Sequence, residues 1–439
     1  MHIKISRYNH IRIFTLFITA FTLCYLHNNL LSQNVYELAK VNGIFFAPSI
    51  KSVKIYRTGN ETSNPVIEFD NSDETVTAEF DDLSDESNAF DYTIVHCDYN
   101  WQTSDITFQE FADGFEYNQI NDYSSSSGTV KQFTHYKLTL PNSNTNFKLP
   151  GNYLLKIVDH YNKENVFLQL RFIVINPMVN IKAIAVQPLN PEYRYTQQQL
   201  ETSLNYSILG NVDPLNDIVL LVGQNAVLSE MNVCKPVHVT SQEIDYTSPD
   251  KLLFNGGNEY RHLDLKSLYA QTSAIQNIQF YGGEQHVLLA PDEVLADKKY
   301  TENTDLDGKY IIKRDDSNDS NIEADYLWVY FTLRSEFIPD YEIYIYGELT
   351  GWNTLPSFKM EYNPQSNAYE CRVLLKQGYY NYKYVAVNSK TKEIDKGLID
   401  GNYFDTENIY NFVCYYKKPG LRYWTPVGIK SVNSRYSQK

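Results

Sequence analysis

Short extended runs of apolar residues, each closed by a cluster of Gly, Pro, Asn, Asp or Ser, recur along almost the whole chain. No segment sustains the spacing of an amphipathic helix. SVKIY, TVTAEF, YTIVHC, HYKLTLP, FLQLRFIVI, DIVLLVG, YLWVYFTL, YEIYIYG and YNYKYVAV are examples. Such a pattern predicts an all-β protein. Short antiparallel strands at this spacing favour sandwiches, and a length of 439 residues calls for about three of them.

At the N-terminus Lys4, Arg7 and Arg12 precede an apolar run from Ile13 to Leu26, and the small residue Ser32 stands before Gln33. This predicts a secretory signal peptide over residues 1–32. The run of about fourteen residues falls short of the roughly 20 that span a bilayer, which favours cleavage over a retained anchor. Cys24 follows the bulky Leu23 where a lipidation signal wants a small residue. No second run of spanning length follows, so the processed chain is expected outside the cytoplasm with no transmembrane segment. Removing the leader leaves 35 basic residues against 53 acidic ones and moves the net charge from -15 to -18. That balance repels phosphate backbones, so nucleic acid is not an expected partner.

Four cysteines remain after processing, Cys97, Cys234, Cys371 and Cys414, and four permit three pairings that the sequence does not separate. If a bridge forms, Cys371 with Cys414 is the preferred pair, since both fall on strands of one predicted domain. Buried free thiols are the alternative.

Motifs of chemistry are sparse. In His96-Cys97-Asp98 adjacent strand residues point to opposite faces, so the imidazole is not placed to activate the thiol, and a structural role is expected. No nucleophile elbow, zinc-protease helix, paired C-x-x-C or phosphate loop occurs. Asn303, Asp305, Asp307 and Gly308 mimic the start of a calcium loop, but the twelfth position, which needs a bidentate Glu, is Arg314. A turn is the better account, and neither a metal nor a cofactor is expected. Tyrosine is the compositional outlier, at 37 residues against 22 Phe. It suits surfaces that meet a partner, and it is equally a good strand former.

Proline cannot donate into a ladder, so Asn176-Pro177, just after a strong strand, ends a first domain over residues 33–177. A middle domain follows over 178–324, with an Asn-Gly-Gly-Asn turn and, from Asp297, an acidic stretch expected to form an outlying hairpin and a flexible connection. A C-terminal domain spans 325–416, and a basic, loosely held tail spans 417–439.

The first domain carries a strand ending in His96-Cys97, then Trp101, Gly114-Phe115, Leu140-Pro141-Asn142 and Gly151-Asn152-Tyr153. In these positions the chain resembles the type IX secretion system plug protein family, and NDIVLLVG and GGNEYR resemble that family's second domain. The segment with Gly347, Trp352, Gly378 and the Tyr380, Tyr382, Tyr384 series is similar to the immunoglobulin-like module of glycogen- and starch-binding proteins. The resemblances imply three consecutive immunoglobulin-like or E-set-like sandwiches. They also imply a non-catalytic periplasmic subunit at the inner side of the outer membrane, without a small-molecule substrate. Its partner would be the outer-membrane type IX translocon barrel, plugged when no cargo is present. The alternative is an α-glucan-binding protein. The starch-binding likeness carries that role onto Trp352 for stacking, with Lys383 and Asn408 assisting, while the second stacking Trp of that module is missing here.

Overall fold

The computed structural model describes residues 44–84, 88–225, 230–248, 252–269 and 272–436. The predicted signal peptide lies outside them. No helix among the described residues is long and apolar enough to cross a membrane. The chain is nearly all strand, arranged as three sandwich-like domains.

In the first domain one sheet is built on Phe90–Cys97, Gly151–Asp159 and Val166–Ile175, and the other on Ile50–Arg57, Val76–Asp82 and Thr134–Leu140. Alternate residues of both sheets, among them Phe80, Phe90, Tyr92, Tyr153 and Phe172, meet in a common core. The opposite faces are also buried: all seven residues of Val76–Asp82 are withdrawn from solvent. Period-two alternation therefore puts Thr77, Glu79 and Asp81 on a polar face that something else must cover.

The middle domain differs from the linear boundaries expected above. One of its sheets is built on Asn180–Val186 and Gln197–Asn205. In the other, Ile218–Gln224 pairs with Ile409–Tyr416, which pairs with Thr425–Asn433. The predicted basic tail thus supplies a strand, and its Val427 and Val432 are buried in the core with Leu220, Tyr410 and Phe412. Ladder bonding is indifferent to separation along the chain, so nothing local in the sequence marked the return.

The third domain is consequently an insertion between the two parts of the middle one. It begins near Arg261, not Asp325. Strands from Arg261–Asp264 to Ile394–Asp395 form one eleven-stranded sheet, which folds over where Lys359–Asn363 pairs with both Tyr341–Tyr346 and Ala368–Lys376. The stretch from Asp297 to Asp325, expected to be a hairpin and a flexible connection, instead contributes Tyr310–Ile312 to this sheet and a helical turn at Ser320–Glu323. Tyr380, Tyr382 and Tyr384 all face its core.

All four described cysteines are free and buried. Cys371 sits in the core of the third domain and Cys414 in that of the second, which corrects the pairing preferred from the sequence. Cys234 and Cys414 share a core but flank Leu220 on opposite sides, two strand spacings or about 9.5 Å apart, beyond disulfide reach.

A chain ending at residue 416 loses Thr425–Asn433 and with it the edge of the middle sheet. We expect limited proteolysis to cut that chain within residues 180–255 under conditions in which the intact chain is resistant.

Candidate functional site

The polar face of the first domain is covered by the third, and the junction centres on Asp81. Lys376 Nζ lies 2.6 Å from its Oδ2, Tyr326 donates its phenol to the same oxygen at 2.7 Å, and His135 Nδ1 lies 2.7 Å from Oδ1. Lys376 and Asp81 are each 1% exposed. Burial alone would raise the Asp81 carboxyl, but the Lys376 charge and the His135 hydrogen bond outweigh it and hold the group below the ordinary carboxylate range. Around this pair Tyr310 donates to the Val53 carbonyl at 2.7 Å, Lys54 to the Tyr310 carbonyl at 2.6 Å, and the Val130 amide to Asp325 at 2.7 Å.

The other sheet of the first domain meets the middle domain through an apolar seam of Cys97, Trp101, Leu154, Ile173, Val413 and Tyr415. His96, on the opposite side of its strand from Cys97, lies among Phe111, Tyr153 and Tyr423. Burial pushes His96 down to about 4 and Cys97 up to about 12, so neither is prepared for acid–base or nucleophilic work at neutral pH. Gly151 is needed for close approach: a Cβ there would lie 2.0 Å from His96 Nε2. Asn152 joins the two domains by accepting the Tyr415 hydroxyl at 2.9 Å and donating to the Asp98 carbonyl at 3.1 Å. The motif positions at His96, Cys97, Trp101, Gly151, Asn152 and Tyr153 are thus devices of the core and of the inter-domain seam.

Of the residues singled out for sugar binding, Trp352 and Lys383 meet at Tyr260, Trp352 is partly buried, and Lys383 and Asn408 are buried. Trp352 meets Tyr346 and Tyr260 edge-on, with centroids 5.7 and 6.3 Å apart, and packs beside Gly308, where a Cβ would lie 2.5 Å from the indole. Lys383 is buried with its Nζ 3.9 Å from the Tyr260 ring centroid. Asn408 is buried in the middle domain, donating to Gly256 and Gln198 and accepting from Asn225. Lys383 and Asn408 therefore have no face to offer a sugar, because the insertion folds this side of the third domain onto the second. Beside them Asp305 accepts the Tyr260 and Asp307 amides at 2.5 and 2.6 Å. Asp307, half-buried, is pushed up to about 7 by burial first and then by Asp305 and Glu407. Among the described residues no group of three or more His, Cys, Asp or Glu is placed to hold a metal ion.

Residues 50–176 match the family model described as the type 9 secretion system plug protein 1st domain. The fold is similar to the crystal structure of a hypothetical protein from Parabacteroides merdae, with a TM-score of 0.84 and 31% sequence identity, covering 88% of this chain and 98% of that one. The chain belongs to one family with that protein, and its first domain is a plug domain. No curated protein matches it. The plug domain ties the chain to type IX secretion.

One rim of the plug domain is aromatic and exposed. Phe115 and Tyr161 are 80% and 89% exposed, and Tyr117, two residues after Phe115, is 37% exposed. Asp91 ties the loop of Tyr161 to the sheet by pairing with His160 at 2.8 Å and Lys163 at 2.5 Å, and its strand pairs with Asn118–Gln119, which follows Phe115 and Tyr117 in the chain. Lys163 in turn lies over the Tyr117 ring. Sequence reasoning singled out Phe115 for its place in the motif; its exposure, and the rim it shares with Tyr161, required the fold.

Two outcomes follow from the buried charges. Asp81→Ala strands the Lys376 ammonium and is expected to cost about 3–5 kcal/mol in denaturant unfolding, whereas Asp81→Leu combined with Lys376→Met recovers most of the loss. Asp307 keeps its proton in the folded state from about pH 4 to about 7, where the unfolded chain has released it. Stability therefore falls as pH rises through that window. Asp307→Asn, which tolerates the local φ of 53°, is expected to raise the melting temperature at pH 8 and leave it unchanged at pH 4.

Proposed function

We propose that this chain is a non-catalytic, periplasmic subunit of the type IX secretion system that binds the periplasmic opening of the outer-membrane translocon barrel and seals it when no cargo is present. The observation that carries the reading is the coupling of a plug domain to two further sandwiches through buried seams, with the Asp81–Lys376 pair at one and the Tyr415–Asn152 hydrogen bond at the other. Large barrels enclose an aqueous lumen, so a pore wide enough for folded cargo leaks unless a body wider than the pore sits on it. Obstruction of this kind needs bulk that does not deform, and no bond-making step.

The aromatic rim at Phe115, Tyr117 and Tyr161 is the docking surface this reading favours. Exposed aromatics beside paired charges have the composition of an interface core with a polar rim. An area of about 1,600 Å² in total is enough for specific, reversible association. The chain's net charge of -15 makes the association salt-sensitive if the barrel mouth is basic.

Pull-down with the tagged chain from detergent-solubilised outer membrane is expected to recover the translocon barrel. Phe115→Ser with Tyr161→Ser is expected to reduce recovery about tenfold or more without lowering the melting temperature. Recovery of other membrane proteins and never the barrel sinks the role. Unchanged recovery by the double variant moves the docking surface elsewhere.

A further inference from the structure

Between the plug domain and the third domain lies a cavity of about 270 Å³. Phe46, Leu349, Leu355 and Phe358 form apolar walls, and the ionisable groups other than tyrosine along its lining are Lys51, Arg372 and Lys376, with no carboxylate among them. In a chain with 53 acidic and 38 basic residues, this is a reversal of the local charge balance. Lys376 is already committed to Asp81. Arg372 lies over Trp328, its guanidinium carbon 4.2 Å from the ring centroid, and so lines the cavity beside that ring.

Lys51 is different. It belongs to the strand Ile50–Arg57, beside an irregularity in the pairing at which Ser52 takes a φ of 50°. Its alternation places Ile50 in the plug-domain core and Lys51 toward the third domain. The Ser52 hydroxyl and the Tyr326 phenol, 2.7 Å apart, fix this edge of the cavity. The Lys51 ammonium has no ion pair and no hydrogen bond in the described structure, Asp81 opposite it in the ladder being taken by Lys376, and burial lowers its affinity for a proton. A cation desolvated against apolar walls stays charged only if an anion joins it.

We propose that this cavity binds a small amphipathic monocarboxylate, its carboxylate between Lys51 and Arg372 and its apolar body against Phe46, Leu349 and Phe358. At roughly 30 Å³ per water-sized group the space holds about ten non-hydrogen atoms, the size of a medium-chain fatty acid or of a peptide's terminal apolar residue. The planar fork of Arg372 suits a carboxylate, and the apolar wall disfavours a bare inorganic anion.

Titration calorimetry on the purified chain with octanoate, its neutral counterpart octanamide, and N-acetyl-leucine tests the assignment. Octanoate or N-acetyl-leucine is expected to bind with a dissociation constant on the order of tens of micromolar, and octanamide about tenfold or more weaker. The tighter of the two acids shows whether a free fatty carboxylate or a chain terminus is the better occupant. Lys51→Met, which breaks no contact, is expected to abolish binding while keeping the melting temperature of the parent, and Lys51→Arg is expected to retain it. No heat from either acid at millimolar concentration overturns the proposal, as does equal binding by octanamide or undiminished binding by Lys51→Met.

Discussion

A carboxylate withdrawn from water, Asp81, stays charged because an ammonium from Lys376, 295 residues further along the chain, is placed against it. Taking either charge out of water alone is costly by several kcal/mol, so the pair exists only when the third domain is seated on the first. Tyr326 and His135 occupy two further acceptor positions of Asp81, which makes the geometry specific as well as tolerable. The covered outer faces of the plug domain, the inserted third domain and the returning C-terminal strands all conform to that seating.

Tyrosine makes the seating general. Of the twelve largest fully buried side chains eight are tyrosines; two of these, Tyr346 and Tyr415, carry the hydroxyl across a domain boundary, as do the buried Tyr310 and Tyr326. Tyr326 reaches Asp81, Tyr415 reaches Asn152, Tyr310 reaches Val53 and Tyr346 reaches Glu230. The ring supplies apolar area to one side while the phenol satisfies a polar group on the other, as buried polar groups require. The surplus of tyrosine over phenylalanine thus reflects seams between domains more than surfaces held in reserve for a partner.

The strand content was legible because period-two alternation and turn residues are local signals, and TVTAEF or YLWVYFTL can hardly be read otherwise. The plug-domain motif was legible through its likeness to a known family, whereas the action of Gly151 on His96 and of Asn152 on Asp98, across neighbouring strands, required the fold. The return of Ile409–Tyr416 to Ile218–Gln224 was not, since hydrogen bonds between strands leave no mark on either sequence of their distance along the chain. Likewise Asp81 and Lys376 resemble any outward-facing charges on a strand, and Lys383 and Asn408 look available until the insertion folds over them. Likeness to a sugar-binding module singled out Trp352, Lys383 and Asn408, and only the packing of the domains showed that Lys383 and Asn408 are buried.

A plug of this construction would act by resisting deformation, and its plug domain would present the aromatic rim while the other two domains brace it from behind. The most direct measurement is the conductance of the purified translocon barrel in a planar bilayer, with the chain added from the periplasmic side. The account predicts that conductance falls to the level of the bare bilayer on addition and recovers when the chain is washed out. A barrel that binds the chain and keeps its full conductance would contradict it.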